Sequence, residues 1–369
     1  MTVPFFDLKR QISSIKSEIM PEIESVVDSG GFILGPKVVE LENYVSNYIG
    51  VKHAIGVASG TDALHLALRS IDIKEGDEVI TSPFTFVATV DAICYCGAKP
   101  VFVDIEPNTF NIDPGKVIKA ISKNTKAILP VHLYGQPARM AEFPHYIAKK
   151  ELYVIEDCAQ AIGAEFDSVK VGAIGTIGCF SFFPTKNLGC FGDGGIVTTN
   201  DDQLADNLRM LRGHGSRKPY HYDQIGFNSR LDAIQAAILL VRFKHLDEWT
   251  RKRRHNANLY HKCLKNINEI TLPYELPNAV HVFNQFTIRI KDRDELFEFL
   301  KTKGVGSMVY YPLSLHLQKA FDYLGYKKGD FPEAECAQSE VLSLPIFPEL
   351  TEAEIGEVCG AIKQFYGKS

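Results

Sequence analysis

Lys186 has the surroundings expected of an amine nucleophile. It lies in SFFPTKNLGCFGDGG, after an apolar strand-like run and ahead of the closely spaced Gly189, Gly192, Gly194 and Gly195. Glycines in such a place let the backbone approach a ligand and adopt positive φ. A lysine in a partly desolvated pocket loses proton affinity and becomes a usable nucleophile, as a Schiff-base lysine must. Upstream, VIEDCAQ closes an apolar run on two acids, Glu156 and Asp157. Ligands of open α/β sheets bind at that end of a strand, and an acid buried there needs a cationic partner. A protonated pyridine nitrogen would be such a partner. The turn ASGTDAL (58–64) passes from strand into helix. Its free backbone N–H groups and the hydroxyls of Ser59 and Thr61 form a candidate phosphate cradle. Singly, these are a solvated lysine, a capping acid and an ordinary turn. The order phosphate turn, acid, lysine is what points to a cofactor site.

These residues need a scaffold, and the sequence outlines one. From residue 53, short apolar runs alternate with amphipathic segments: HAIGVAS is followed by the helical TDALHLALRS, and DEVITS, KPVFVDI, KAILPVHLY and LYVIED are further strands. This alternation predicts an α/β fold with a mostly parallel central sheet and helices on both faces. Asp113-Pro114 reads as an N-cap with proline at the first helical position. Between 177 and 199, IGCFSFF and GIVTT leave no room for a crossover helix, which predicts a hairpin or sharp reversal at the sheet's edge or functional face. A long helix is expected over roughly 230–265, a strand over 281–290 and a helix in DELFEFLKTKG. A final helix opens with a capping box, Thr351 to Glu354. The expected division is a large domain over 12–245 and a small α+β domain over 246–369, joined by the N-terminal arm 1–11.

Bulk properties remove other classes. The chain has 369 residues, 45% hydrophobic and 23% charged, with a net charge of -5, so nothing favours nucleic acid or an anionic membrane as the partner. There is no apolar run of the roughly eighteen residues that a membrane span takes, and residues 1–10 do not resemble a signal peptide. The eight cysteines are scattered, and Cys94 and Cys96 make only a C-x-C. That predicts reduced thiols, no metal site and a cytoplasmic protein. A nicotinamide oxidoreductase is disfavoured, because the glycine turn lacks G-x-G-x-x-G; it also lacks the P-loop G-K-[ST].

SGTDAL, VIEDCAQAIGA, SFFPTKNLGCFGDGG and GFNSRLDAIQAAIL, in this order, resemble the DegT/DnrJ/EryC1/StrS family of sugar aminotransferases, which are fold-type I pyridoxal-phosphate enzymes. The resemblance runs from PFFDLKRQ to VLSLPIFPEL. It implies that Lys186 carries pyridoxal 5'-phosphate and shuttles the proton, and that Asp157 keeps the pyridine nitrogen protonated so that the ring is an electron sink. It places Gln160 by the phenolic oxygen and Phe86 on the ring face. Gly60, Thr61 and Ser181 would bind the phosphate, joined by Asn228 from the neighbouring subunit of a homodimer. Arg230 would meet the carboxylate of L-glutamate, the amino donor, or else pair with an acid such as Asp232.

The implied substrate is a nucleotide-linked keto sugar. VHLYGQPARM and the segment HGS…YHYDQIGFNSRLD look closer to members acting at C-3 than at C-4. SFFPTKNLGCFGDGG is similar to enzymes that aminate UDP-linked 2-acetamido-3-oxo sugars of glucose or glucuronate type. A dTDP-linked 3-keto- or 4-keto-6-deoxyhexose is the alternative. Tyr310, Tyr311 and His316 match a segment that helps line the sugar-nucleotide pocket. Family dehydratases have histidine where Lys186 stands, so the lysine argues for transamination. A regulatory protein that kept only the fold would have lost some of these residues.

Overall fold

The computed structural model describes residues 2–143 and 152–367. Seven of the expected apolar runs form one sheet, made of β1 (His53–Val57), β2 (Glu78–Thr81), β3 (Lys99–Phe102), β4 (Thr125–Ile128), β5 (Tyr153–Asp157), β8 (Ile177–Ser181) and β9 (Gly195–Thr199). Between β5 and β8 lie two short strands outside it, β6 (Glu165–Phe166) and β7 (Val169–Lys170). The sheet order is β1-β9-β8-β5-β4-β2-β3. All neighbours are parallel except β9, which is antiparallel to both β8 and β1. The sheet is thus mostly parallel, as expected, with one reversed strand.

That strand sharpens the expectation of a reversal between 177 and 199. β9 does not sit at the edge; it is inserted between β8 and β1, with Gly195 opposite both Ser181 and Val57. Its first residue therefore lies on the rim where β1, β5 and β8 end. Such a rim is where ligands of open α/β sheets bind.

Helices α1 (Leu8–Ser29), α2 (Pro36–Ile49), α3 (Gly60–Ser70), α4 (Ala88–Tyr95) and α5 (Pro114–Ala120) surround these strands. α3 starts where Ser59 caps it, its side chain accepting from Asp62 N, and α5 has the expected Asp113 cap with Pro114 in its first turn. Residues such as Ala67, Leu68, Ile155 and Val197 are fully buried between helices and sheet, each large one worth roughly 1.5–3 kcal/mol of burial.

The expected helix over 230–265 is instead two, Ala233–Phe243 and Leu246–Leu264. At the break, Lys244 N and His245 N bond back three residues, to Val241 O and Arg242 O, a local tightening that redirects the chain. The expected strand over 281–290 contracts to Phe286–Arg289, paired antiparallel with Val341–Leu344. Residues ahead of it are drawn away from the ladder, with Phe283 at positive φ. The helix Glu352–Phe365 has the capping box, Thr351 and Glu354 satisfying each other's backbone. The arm joins the C-terminal core: Val3 is buried among Tyr260, Phe286 and Ile355, and Arg10 makes a two-pronged bond to Glu354. No described helix is long and apolar enough to cross a membrane.

Candidate active site

Strand ends build the site. A cavity of about 610 Å³ opens on the rim of the sheet, and Gly60, Thr61, Phe86, Asp157, Gln160, Ser181, Lys186, Tyr310 and Tyr311 all line it. Asp157 ends β5, Ser181 ends β8, and Gly60 and Thr61 open α3 just after β1. Lys186 comes from the loop 182–194, which leaves β8 and returns as β9. That loop is stitched across its base by Phe182 N to Gly194 O and Cys190 N to Phe182 O, both 2.8 Å.

Asp157 is buried, with two protein donors: Thr89 Oγ1 to Oδ2 at 2.8 Å and Ala159 N to Oδ1 at 3.1 Å. Burial raises its proton affinity above the ordinary carboxylate range, against the pull of Thr89, the Ala159 N–H and the Lys186 charge. No cation is bonded to it among the described residues, which is the situation a protonated ring nitrogen relieves. Lys186 is pushed the other way: loss of water lowers its ammonium to about 8, with Asp157 opposing the shift. Roughly a tenth of the amine is then neutral at pH 7, far more than for a lysine in water.

The preceding acid has a different task. Glu156 is fully buried and accepts from the backbone N–H groups of Gly172, Ile174 and Gly175. It also faces His132 Nε2 at 3.0 Å, while His132 Nδ1 accepts from Ala138 N, so Nε2 carries the proton. Cys158 lies close enough to complete a geometric trio with these two. The carboxylate already accepts from three backbone N–H groups and the His132 ring, so its role within the chain is to hold the 172–175 turn and His132 against β5.

On the far side, Ser59, Gly60, Thr61 and Ser181 form the candidate phosphate cradle at the N-terminus of α3. Gly195 is needed at its base, because a Cβ there would meet Ser59 O at 2.3 Å. Phe86 is 55% exposed although it is a large aromatic, so its face is free for a flat ligand. Gln160 is oriented by Tyr134 N, which donates to its Oε1 at 2.6 Å. Its amide nitrogen then donates to Tyr311 Oη at 3.1 Å.

Three expected residues lie elsewhere. His316 does not line the cavity: its side chain is fully buried, 3.1 Å from Glu335 and edge-on to Phe331. An acid nineteen residues downstream, which the motif does not include, holds the ring in that place. Asn228 is exposed and Arg230 half-buried, and neither lines the cavity of its own chain. Arg230 makes no side-chain hydrogen bond or ion pair among the described residues, so it is not held by Asp232. Conversely, Thr85, Thr89, Asp193, Asn284 and Gln285 line the cavity without having been singled out. Thr85 and Thr89 stand in the same SPFTFVAT that drew attention to Phe86; their spacing of four was the available signal. Asn284 and Gln285 arrive only because residues ahead of the Phe286–Arg289 strand leave the ladder.

Known proteins resemble this chain over nearly its whole length. A Geobacillus stearothermophilus protein named pleiotropic regulatory protein is 51% identical over 99% of both chains. The UDP-N-acetyl-3-dehydro-alpha-D-glucosamine 3-aminotransferase of Acidithiobacillus ferrooxidans is 45% identical over 98% of this chain and 97% of its own. The crystal structure of S. venezuelae DesV, in complex with a ketimine intermediate, superposes with a TM-score of 0.98 at 41% identity, covering 100% of this chain and 99% of that one. The model of the DegT/DnrJ/EryC1/StrS aminotransferases matches residues 13–363, and to that family this chain belongs.

Proposed function

We propose that this protein moves an amino group from L-glutamate to C-3 of a UDP-linked 2-acetamido-3-oxo sugar of glucose or glucuronate type, giving the 3-amino sugar and 2-oxoglutarate. The enzyme uses pyridoxal phosphate, which when bound supplies an electron sink and the carbonyl that takes and returns the amino group. The observation that carries the reading is the pairing, on one cavity wall, of a lysine of lowered proton affinity with a buried acid that has no cation of its own.

In this reading Lys186 Nζ holds the cofactor covalently and moves the proton at the substrate carbon. Asp157 holds a proton at the ring nitrogen, Gln160 orients the phenolic oxygen, and Phe86 covers one face. Gly60, Thr61 and Ser181 cradle the phosphate, and Asn228 of a second copy of the chain completes it in a homodimer. Arg230, with no acid holding it, is the group for a donor carboxylate. Tyr310 and Tyr311 line the sugar side. The 3-position and the UDP moiety rest on the motif similarities and on the name of the Acidithiobacillus relative. Eight unpaired cysteines fit a reducing cytoplasm. A purely regulatory role, which the name of the Geobacillus relative suggests, is disfavoured by the intact set of lysine, acid and phosphate residues.

Two half-reactions test this. Glutamate should convert the bound cofactor to its amine form with release of 2-oxoglutarate, seen as a shift in the absorbance band. That form is then offered UDP- and dTDP-linked 3-keto and 4-keto sugars. Product only from 4-keto sugars would refute the regiochemistry, and a spectrum unmoved by glutamate would refute the donor.

A further inference from the structure

The Asp157 carboxylate meets the cavity as the last member of a chain of hydroxyls. Thr89 Oγ1 lies 2.8 Å from Asp157 Oδ2 and 3.0 Å from Thr85 Oγ1. A hydroxyl has one proton to give, and an ionised carboxylate only accepts. With Asp157 ionised, the Thr89 proton therefore belongs to Asp157, and the Thr89 oxygen is left to accept the proton of Thr85. The chain has a direction, from Thr85 to Thr89 to Asp157. All three residues are buried, where a hydrogen bond to a charge is stronger than in water. The other carboxylate oxygen takes the N–H of Ala159 at 3.1 Å. Each oxygen thus has one protein donor and keeps further accepting capacity.

The local fold produces this alignment. Thr85 lies in the bend before α4 and Thr89 in its first turn, and the chain entering the helix brings their hydroxyls to 3.0 Å. Phe86 lies between them in sequence and projects into the same cavity. The segment after β2 thereby presents a ring face and a hydroxyl donor from a single turn.

We propose that Thr89, backed by Thr85, is a positioning residue that keeps Asp157 ionised and aimed at the cofactor's ring nitrogen, so that the shared proton resides on the ring. This rests on the pyridoxal-phosphate reading of the site. Without the Thr89 hydroxyl, a buried carboxylate is left with a single protein donor, and the proton moves toward the carboxyl group.

The test uses the full chain stripped of cofactor, as wild type, Thr89→Val, Thr89→Ser and Thr85→Val, with thermal melting to verify folding. Each is titrated by absorbance with pyridoxal phosphate and with its 1-deaza analogue, in which carbon replaces the ring nitrogen. Thr89→Val should bind pyridoxal phosphate roughly tenfold or more weakly, the scale of a hydrogen bond to a charged group. Thr89→Ser should restore wild-type affinity, and Thr85→Val should fall between. With the deaza analogue, wild type and Thr89→Val should bind alike, because no ring nitrogen is there to share a proton. Equal binding of pyridoxal phosphate by wild type and Thr89→Val overturns the proposal. So does an equal loss for both ligands, which would mark plain packing. If Thr89→Val fails to fold, the Thr85→Val and Thr89→Ser pair decides by the same comparison. Failure of the wild type itself to bind pyridoxal phosphate refutes the site reading rather than the role of Thr89.

Discussion

Gly60 and Ser181 approach each other so closely that no side chain fits between them. A Cβ on Gly60 would lie 2.5 Å from Ser181 Cβ and 2.9 Å from its Oγ. Two strand ends that are distant in sequence are thereby locked at the mouth of the cradle.

Gly60→Ala should therefore weaken cofactor retention and lower stability by about 1–3 kcal/mol, the usual cost of overpacking. Adding Ser181→Gly should recover the melting temperature of the stripped enzyme while leaving cofactor affinity low. Recovery of both would mean that Ser181 does not touch the phosphate.

Lys186 sets a pH dependence whose sign follows from its surroundings. Burial lowers the ammonium to about 8 from 10.5, and only the neutral amine attacks a carbonyl. Covalent capture of pyridoxal phosphate by the stripped enzyme should accelerate as pH rises toward about 8 and level off above it. Stopped-flow absorbance measures this directly. A midpoint near the solution value of 10.5 would show that the pocket does not desolvate the amine. Lys186→Ala should show no covalent capture at any pH.

The proposed sharing of the site between two copies predicts complementation. Lys186→Ala and Asn228→Ala should each be impaired, the first completely. Unfolded and refolded together, they should regain activity, because a mixed dimer contains one site with both residues intact. Absence of recovery, with mixed dimers verified by mass, would count against Asn228 crossing the interface.

Arg10 and Glu354 give an acid-side prediction. The Arg10 guanidinium, with burial opposing, holds the Glu354 carboxyl at about 2, below its ordinary 4.5. A carboxylate with a lowered folded-state value contributes stability above its unfolded value and loses it as pH falls through the folded one. The contribution is thus fully present above about 4.5 and disappears toward about 2. Because Arg10 is partly exposed, Arg10→Ala should cost only about 0.5–1 kcal/mol at neutral pH, and less in acid. Urea titrations at pH 7 and pH 3 would show whether the difference shrinks.

The sequence was most legible where one short element dictates its own structure. The Asp113 cap, the Thr351–Glu354 box and the alternation from His53 to Asp157 are local patterns. The reversal after β8 was legible because residues 182–194 cannot hold a crossover helix. Its place inside the sheet was not, since the Gly195 pairing with Val57 depends on a strand more than a hundred residues earlier. Lys186, Asp157 and Gly60 were recognisable together, but the hydrogen bond from Thr89 to Asp157 joins the first turn of α4 to the end of β5 and has no linear signature. His316 is the converse case: its motif looks like a pocket wall, while its partner within the chain, Glu335, arrives on a different helix.

The base of the 182–194 loop, pinned by Phe182, Cys190 and Gly194, bears on how such enzymes diversify. A span tied at both ends and carrying the essential amine has little freedom to lengthen or shorten. Variation in the sugar accepted must then enter through chain that reaches the cavity independently. Here those are the stretch carrying Asn284 and Gln285 and the Tyr310–Tyr311 pair, both from the C-terminal third. Exchanging these two short stretches between relatives is thus a route to altered substrate choice that leaves the Lys186 loop in place, provided Tyr311, which accepts from Gln160, is retained.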